Sequence, residues 1–498
     1  MSEVYKIVTD TTLTYKQQFV KLAKLGENTD DTIPYNPLWL QSKEAGMVCD
    51  LFEGALPYRP RYIIPDYSIL MEKGSDFLEI GAPTDLWEAI HALLIMYNHV
   101  PSVSSFPVFL GDLDTLLEPF IEDEKQAEKA IRLFMLHIDR VFTDSFVHAN
   151  IGPKDTKAGR IILKVTKELQ TAVPNMTLKY DPDETSDEFA ALCASTMLET
   201  AKPSFANHRM FKKEYDDGYA LASCYNGFRM GGGGYTLPRL KLASIAKQAN
   251  SIAHFKDELL PYYVNLMSEF MDMRIRFMVE ESAFFKSNFL VREGFVKQEN
   301  FVGMFGMVGL AECVNTLLHI EYPLKGYGHL KQADDLGEDI IRHLDDLVSK
   351  HTAPYSENSQ NRYWLHAQVG IESDGLGSSP GTRIPIGAEP ETHQQINHST
   401  RFHKYFPTGT GDIYRFDETW KNTPEALVDI IRGALGKGVR YFSGYCENND
   451  LVRVTGYLVK RSEMEKLDRK EAVKNHATVL GQNSRDLAKA LDRRVNRK

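Results

Sequence analysis

Residues 451–466 read LVRVTGYLVKRSEMEK, a β-rich run interrupted by one glycine, Gly456. Glycine weakens a strand unless something requires its missing side chain. The ordinary explanation is a bulge or the close approach of another part of the chain. A chemical explanation stands beside it. A glycine Cα flanked by two amides can lose a hydrogen atom and leave a radical stabilised by the nitrogen lone pair and the carbonyl. With no side chain, that centre becomes planar without steric cost. It has to be buried and dry, because dioxygen would cleave the chain there.

The rest of the chain sets the frame for such a centre. It has 498 residues, 43% of them hydrophobic and 25% charged, which is the profile of a folded body with a substantial core. That length suits one large domain or two to three smaller ones. A formal charge of −10 argues against a general nucleic-acid binder. The five cysteines, at 49, 193, 224, 313 and 446, never come within a CxxC spacing. This excludes a zinc ribbon, a thioredoxin-like pair and an iron–sulfur cradle. Few unpaired cysteines, no signal-like start and no run of 18 apolar residues lead to the expectation of a cytoplasmic protein that does not enter the membrane.

Apolar spacing predicts helices over 84–97, from a cap at Thr84 or Asp85, and over 124–146. Residues 159–183 read as a helix followed by a short strand at 176–180, with Pro174 between them. Helix is expected across most of 237–281, over 307–318 and over 334–350. The stretch 353–400 is rich in Gly, Pro, Ser, Asn and His and reads as a long functional loop. Thr423 and Pro424 open another helix, followed by strands at 439–442 and 451–460 and a last helix from Ser484 through Leu491.

Arg453, Val454, Thr455, Gly456 and Tyr457, placed 42 residues before the end, resemble the RVxGY signature of the glycyl radical enzymes. Such enzymes need a distant cysteine that meets the glycine and passes the radical to substrate. Cys224 answers to it, in LASCYNGFRMGGGGYTLPRLKLASIAKQA (221–249). A cysteine, then a glycine-rich turn, then TLPR entering a helix is similar to the finger loop of the anaerobic ribonucleotide reductases. Residues 301–317, FVGMFGMVGLAECVNTL, resemble the G-x-x-G-L-x-E segment of the same superfamily. Three segments in this order, with SCYNG and NHRM-like loops and a chain near 500 residues, look most like the YjjI family of glycyl radical enzymes.

The resemblance implies an α/β fold, a ten-stranded β/α barrel of two antiparallel five-stranded half-barrels surrounded by helices. Residues 1–435 would form the barrel, with an N-terminal helical region and the finger loop near Cys224, and 436–498 the C-terminal glycyl radical domain. It also implies a radical on Gly456 as a post-translational modification, no dissociable cofactor and no metal. The partners implied are a radical S-adenosylmethionine activating enzyme and a small organic substrate, with a homodimer as the common assembly and no nucleic acid or membrane.

Departures from that pattern matter. Ser223 precedes Cys224, so the adjacent cysteine pair of pyruvate formate-lyase is absent. Asn226 stands where diol- and choline-type eliminases carry the Glu of C-x-E. The four zinc-binding cysteines of the anaerobic reductases are missing, and Cys446 alone lies in that region. A reductase-like activity and a non-catalytic metabolite-binding barrel remain the alternatives. Asn226, Asn207, His208, His366, Arg383 and Glu389 are candidate substrate contacts. Arg383 has the planar fork for a carboxylate or phosphate, and Glu389 is a base if desolvated. Glu372 shares the loop of His366. The spacing of His393 and His398 does not match a zinc helix. Cys193 and Cys313 read as buried small hydrophobes.

Overall fold

Helix starts follow the side-chain caps that the sequence supplies. Asp85 accepts hydrogen bonds from the amides of Trp87 and Glu88 and opens the helix Leu86–Tyr97. Thr156 and Ser186 do the same for Lys157–Leu169 and Asp187–Thr200. These elements belong to a computed structural model that describes residues 2–29, 33–50, 53–101, 107–142, 145–216, 218–321, 323–367, 378–454, 456–475 and 477–479.

The strands, in chain order, are β1 (Val48–Cys49), β2 (Tyr62–Ile64), β3 (Phe109–Asp112), β4 (His148–Ile151), β5 (Asn175–Tyr180) and β6 (Ser204–Asn207). Then come β7 (Tyr219–Ala222), β8 (Asn226–Arg229), β9 (Gly232–Gly234), β10 (Arg239–Lys241), β11 (Phe301–Val302) and β12 (Met304–Val308). The last five are β13 (Trp364–Ala367), β14 (Asp412–Phe416), β15 (Tyr441–Cys446), β16 (Leu451–Arg453) and β17 (Leu458–Lys460).

Two principal sheets result. One runs β14-β15-β6-β5-β4-β3, with β3 to β6 mutually parallel and β15 antiparallel to β6. Helices Glu124–Val141, Lys157–Leu169 and Asp187–Thr200 make the crossovers that parallel neighbours require. The other runs β1-β10-β12-β13, with β10, β12 and β13 parallel. Hydrogen bonding thus divides these ten strands six and four, where the resemblance implies five and five. Strands β4, β5, β6 and β15 are buried along their whole length, so both faces of the larger sheet are covered.

Several elements differ from the sequence expectation. The helix expected to reach 146 ends at Val141, where Phe142 turns extended, and the one from 157 ends on a left-handed Gln170. Within the runs expected as helix, 239–241 is strand β10 and 307–308 is the end of strand β12, because a short buried run carries no period to separate strand from helix. The stretch 353–400 contains β13 and the helix Thr392–Phe402. Thr423 precedes the helix Pro424–Gly436, yet its side chain makes no cap hydrogen bond. The strand expected at 439–442 continues to Cys446 inside the larger sheet. The helix expected from Ser484 lies outside the described residues.

Of the four glycines before YTLPR, Gly231 lies in a turn and the other three form strand β9. β9 is the middle of a three-stranded sheet between β2 and β11. At Gly233 (φ +155°) a Cβ would collide with the carbonyl oxygen of Tyr62. Only glycine lets the flanking backbones close on it.

A buried ionic cluster ties the first sixty residues to this region. Arg274 donates to Asp50 at 2.8 Å and to Glu53 at 2.9 Å and lies over the Phe270 ring. Glu53 in turn accepts from Arg61, from the Leu237 amide and from the Thr236 hydroxyl. Arg274→Leu is expected to cost about 3–5 kcal/mol in urea unfolding, because Asp50 and Glu53 stay buried without their shared cation. Removing the half-exposed Arg132–Glu168 pair should cost under about 1 kcal/mol.

Candidate active site

Cys224 sits at the tip of the β7–β8 hairpin. Ala222 pairs with Asn226, which leaves Ser223, Cys224 and Tyr225 as the turn. Ser223 takes φ +63°, a strained conformation for a residue with a side chain, immediately before the cysteine. The hairpin is gripped from the larger sheet: Asn150 of β4 bonds both the amide and the carbonyl of Leu221 at 2.8 Å, and Lys179 of β5 donates to Tyr219 O.

Gly456 also lies at a hairpin tip. The run 451–460, expected as one strand, folds back on itself as β16 and β17, with Val454 N donating to Tyr457 O across the turn. The two tips meet. A Cβ added to Gly456 would overlap Cys224 Cβ and stand 2.5 Å from its Sγ. Allowing about 1.5 Å for the Cα–Cβ bond, Gly456 Cα lies within about 4 Å of the sulfur.

Two neighbouring strands hold the tips in register. His148 and Asn175 face each other as the first residues of β4 and β5. His148 Nδ1 lies 3.2 Å from Ser223 O, and Asn175 Nδ2 donates to Gly456 O at 2.9 Å. Asn175 Oδ1 accepts from Arg453, which also donates to Ala201 O. Burial pushes the His148 pKa down to about 3, so the ring is neutral with its proton on Nδ1, facing the Ser223 carbonyl. Nε2 then accepts from Thr177, whose oxygen accepts from the Tyr441 hydroxyl. Sequence reading missed His148, Asn175, Thr177 and Tyr441; a polar residue opening a buried strand was the one available signal.

His403, which accepts the Arg440 amide, is also held down to about 3 by burial. For both histidines the unfolded chain binds more protons than the folded one between pH 6.5 and 3, so stability falls as pH falls through that window. From pH 8 to pH 5 each should remove about 2 kcal/mol. Asp114 and Asp345, raised by burial to about 7 and about 6, change stability in the opposite sense over the same window. The check is therefore the difference between the parent and the His148→Gln and His403→Gln chains in urea midpoints at pH 8, 6.5 and 5. The parent should lose about 2 kcal/mol more than each variant, and an equal loss would rule out neutral burial.

Cys224 is buried, and burial pushes its thiol pKa up against the Tyr225 amide, the Ser223 hydroxyl and the Arg383 and Arg453 charges. The group is therefore S–H rather than thiolate at neutral pH, suited to giving up a hydrogen atom rather than to nucleophilic attack. Its Sγ lies 3.6 Å from Asn226 Oδ1.

Three of the sequence candidates converge here. Asn226 touches the thiol, the His366 ring stacks on Tyr225 at 5.9 Å, and the Arg383 guanidinium lies 5.5 Å from the centre of the same ring. The others do not. Asn207 caps the helix His208–Tyr215 and donates to Leu435 O and Val439 O. His208 bonds the Tyr219 hydroxyl, at the base of the Cys224 hairpin rather than its tip. Glu389 accepts the Gly387 amide at 2.6 Å within its own turn. Cys446 ends β15, five residues from Tyr441 and about 17 Å away along the strand. Cys193 and Cys313 are buried in helices. Glu372 lies outside the described residues. Among those described, no group of three or more His, Cys, Asp or Glu is placed to hold a metal ion, and no helix is long and apolar enough to cross a membrane.

Fold and site together define a glycyl radical enzyme. The larger part of the fold is shared with the anaerobic ribonucleotide reductase of Thermotoga maritima with dATP in its specificity site, at TM-score 0.69 and 13% identity, covering 93% of this chain and 94% of that one. The B12-independent glycerol dehydratase of Clostridium butyricum matches at TM-score 0.65 and 11% identity, over 91% of this chain and 82% of that one. The chain belongs to the YjjI-like glycyl radical enzyme family, whose model matches residues 13–496. A protein of Haemophilus influenzae is 44% identical over 99% of this chain and 97% of its own length, and YjjI of Escherichia coli K12 is 40% identical over 98% and 94%. The family is related to pyruvate formate-lyase and to the anaerobic reductases, and its cofactor is a glycyl radical carried by the chain itself. Gly456 fits that group: it is buried, and the space a side chain would fill is already taken by Cys224.

Proposed function

We propose that Gly456 is the glycine that stores the radical and that Cys224 is the residue that acts on substrate. A radical S-adenosylmethionine activase removes one hydrogen atom from Gly456 Cα, and residues 436–498 are the segment that presents this glycine to it. The stored radical supplies one unpaired electron that is returned after each turnover. Cys224 gives its thiol hydrogen to Gly456 Cα and then, as a thiyl, takes a hydrogen atom from carbon of a small organic substrate. The substrate-derived product radical takes that hydrogen back from the thiol, and Cys224 is restored at the expense of Gly456. Hydrogen atoms and electrons balance over the cycle.

The observation that carries this reading is the contact between the two hairpin tips in a buried site, with the thiol kept protonated. Holding both carbonyls next to the reacting atoms, His148 and Asn175 limit the search for a productive geometry. A buried site also keeps water and oxygen from the radical. Anaerobic incubation with a competent activase should give a glycine-type doublet in electron paramagnetic resonance, and air should then cleave the chain at residue 456. No doublet, with the same activase shown active on another protein, would overturn the proposal.

A further inference from the structure

Two hydrogen-bond donors near Cys224 have no partner among the described residues. Asn226 is fully buried. Its Oδ1 faces the Cys224 thiol, and its Nδ2 is buried with no partner among the described residues. Arg383 is 8% exposed. Its Nε donates to Gly411 O at 2.7 Å and its plane lies near Tyr225, but Nη1 is buried with no partner, and no described carboxylate forms an ion pair with it. Asp412, on the strand that follows Gly411, spends its carboxylate on Gln395, Ser399 and the Ile413 amide.

A desolvated guanidinium without a counter-ion and a desolvated amide N–H are both costly to bury. Both lack the same thing, an acceptor oxygen. The Nη end of a guanidinium whose Nε is occupied still presents a planar pair of donors, the geometry that carboxylates match and that charge assistance strengthens. The Asn226 amide, adjacent to the thiol, is placed to donate to an oxygen on or next to the carbon that loses hydrogen. Being an amide, it cannot serve as the base that a carboxylate would provide at that position.

We infer that the substrate is a small oxygenated carboxylic acid, a hydroxy- or oxo-acid, whose carboxylate is held by Arg383 and whose second oxygen accepts from Asn226. This rests on Cys224 as the residue that acts on substrate. It requires no base-assisted loss of water at residue 226.

Binding to the unactivated full-length protein tests it without any radical. Glycolate, lactate, glycerate and 3-hydroxybutyrate would be titrated calorimetrically beside lactamide and propane-1,2-diol as neutral counterparts. At least one acid should bind, with lactamide at least about tenfold weaker than lactate if lactate is that acid. Arg383→Gln should weaken the acid by about tenfold or more, and Asn226→Asp should weaken it too, by replacing a donor with a like charge. Melting temperatures would verify that both variants fold, and the acid–amide comparison on the unaltered protein stands even if they do not. Binding of none of the acids, equal binding of acid and amide, or undiminished binding by a folded Arg383→Gln chain would overturn the inference. The resonance doublet is read separately. A doublet without acid binding defeats only this inference, and acid binding without a doublet defeats only the radical proposal.

Discussion

Gly456→Ala is expected to yield a protein with no glycine-type doublet after treatment with a competent activase, and with no turnover. The added methyl would overlap Cys224 Cβ and crowd its Sγ, so the β16–β17 tip would have to withdraw from the finger. Withdrawal separates the two reacting atoms and opens the site. Overpacking of this kind should also cost about 1–3 kcal/mol of stability. The stability effect has a diagnostic partner. The closest overlap is with Cys224 Cβ, so Cys224→Ala leaves it in place and only Cys224→Gly removes it. In a double-mutant cycle, Gly456→Ala should cost about 1–2 kcal/mol less in the Cys224→Gly background than in the parent. Strict additivity in urea unfolding would mean that the tips do not touch in solution.

Cys224→Ala is expected to separate the two roles. The Gly456 doublet should persist, since Asn175 and Arg453 hold that hairpin without help from the thiol. Turnover of any substrate should fall by on the order of 10⁴-fold or more, equivalent to about 5.5 kcal/mol in the barrier. Cys224→Ser should be equally inactive, because an O–H bond is stronger than an S–H bond and does not readily give its hydrogen to a glycine-centred radical. Residual turnover of the alanine variant near the parent rate would sink the assignment of Cys224. A pH profile of the parent adds a check in the opposite direction to a nucleophilic cysteine. Hydrogen transfer needs S–H, and burial raises this thiol above its ordinary value. Activity should therefore hold through the ordinary thiol range and fall only above it, whereas a thiolate nucleophile would gain activity as pH rises through that range.

How much of this was legible beforehand varies by residue. The RVTGY and SCYNG segments could be singled out because the chemistry proposed for them depends on residue type: a glycine free of side-chain bulk, a cysteine able to give up hydrogen. The Asp85 cap was readable because it satisfies amides within three residues of itself, whereas Thr423 precedes its helix without bonding to it. Arg383, Asn226 and His366 were identifiable as residue types suited to a polar ligand, yet so were Asn207, His208 and Glu389, which the fold spends on a helix cap, a tyrosine hydroxyl and a turn. Residue type could not tell the two sets apart: Asn207, His208 and Glu389 each find a partner within eleven residues once the local backbone has folded, whereas what Arg383 and His366 meet is set by segments tens of residues away. β10 and the last two residues of β12 were misread as helix, since burial on both sides erases the alternation that marks a strand.

The sequence by itself determined the superfamily, the two residues proposed to carry the radical chemistry and the absence of a Glu two residues after the cysteine. Only the tertiary structure decided that Cys224 and Gly456, 232 residues apart, stand in contact, and that His148 and Asn175 are the residues that hold their loops. The physical reason is range. Glycine and cysteine carry their reactivity in their own bonds, whereas their meeting is produced by the parallel register of β4 and β5, which no stretch of neighbouring residues encodes.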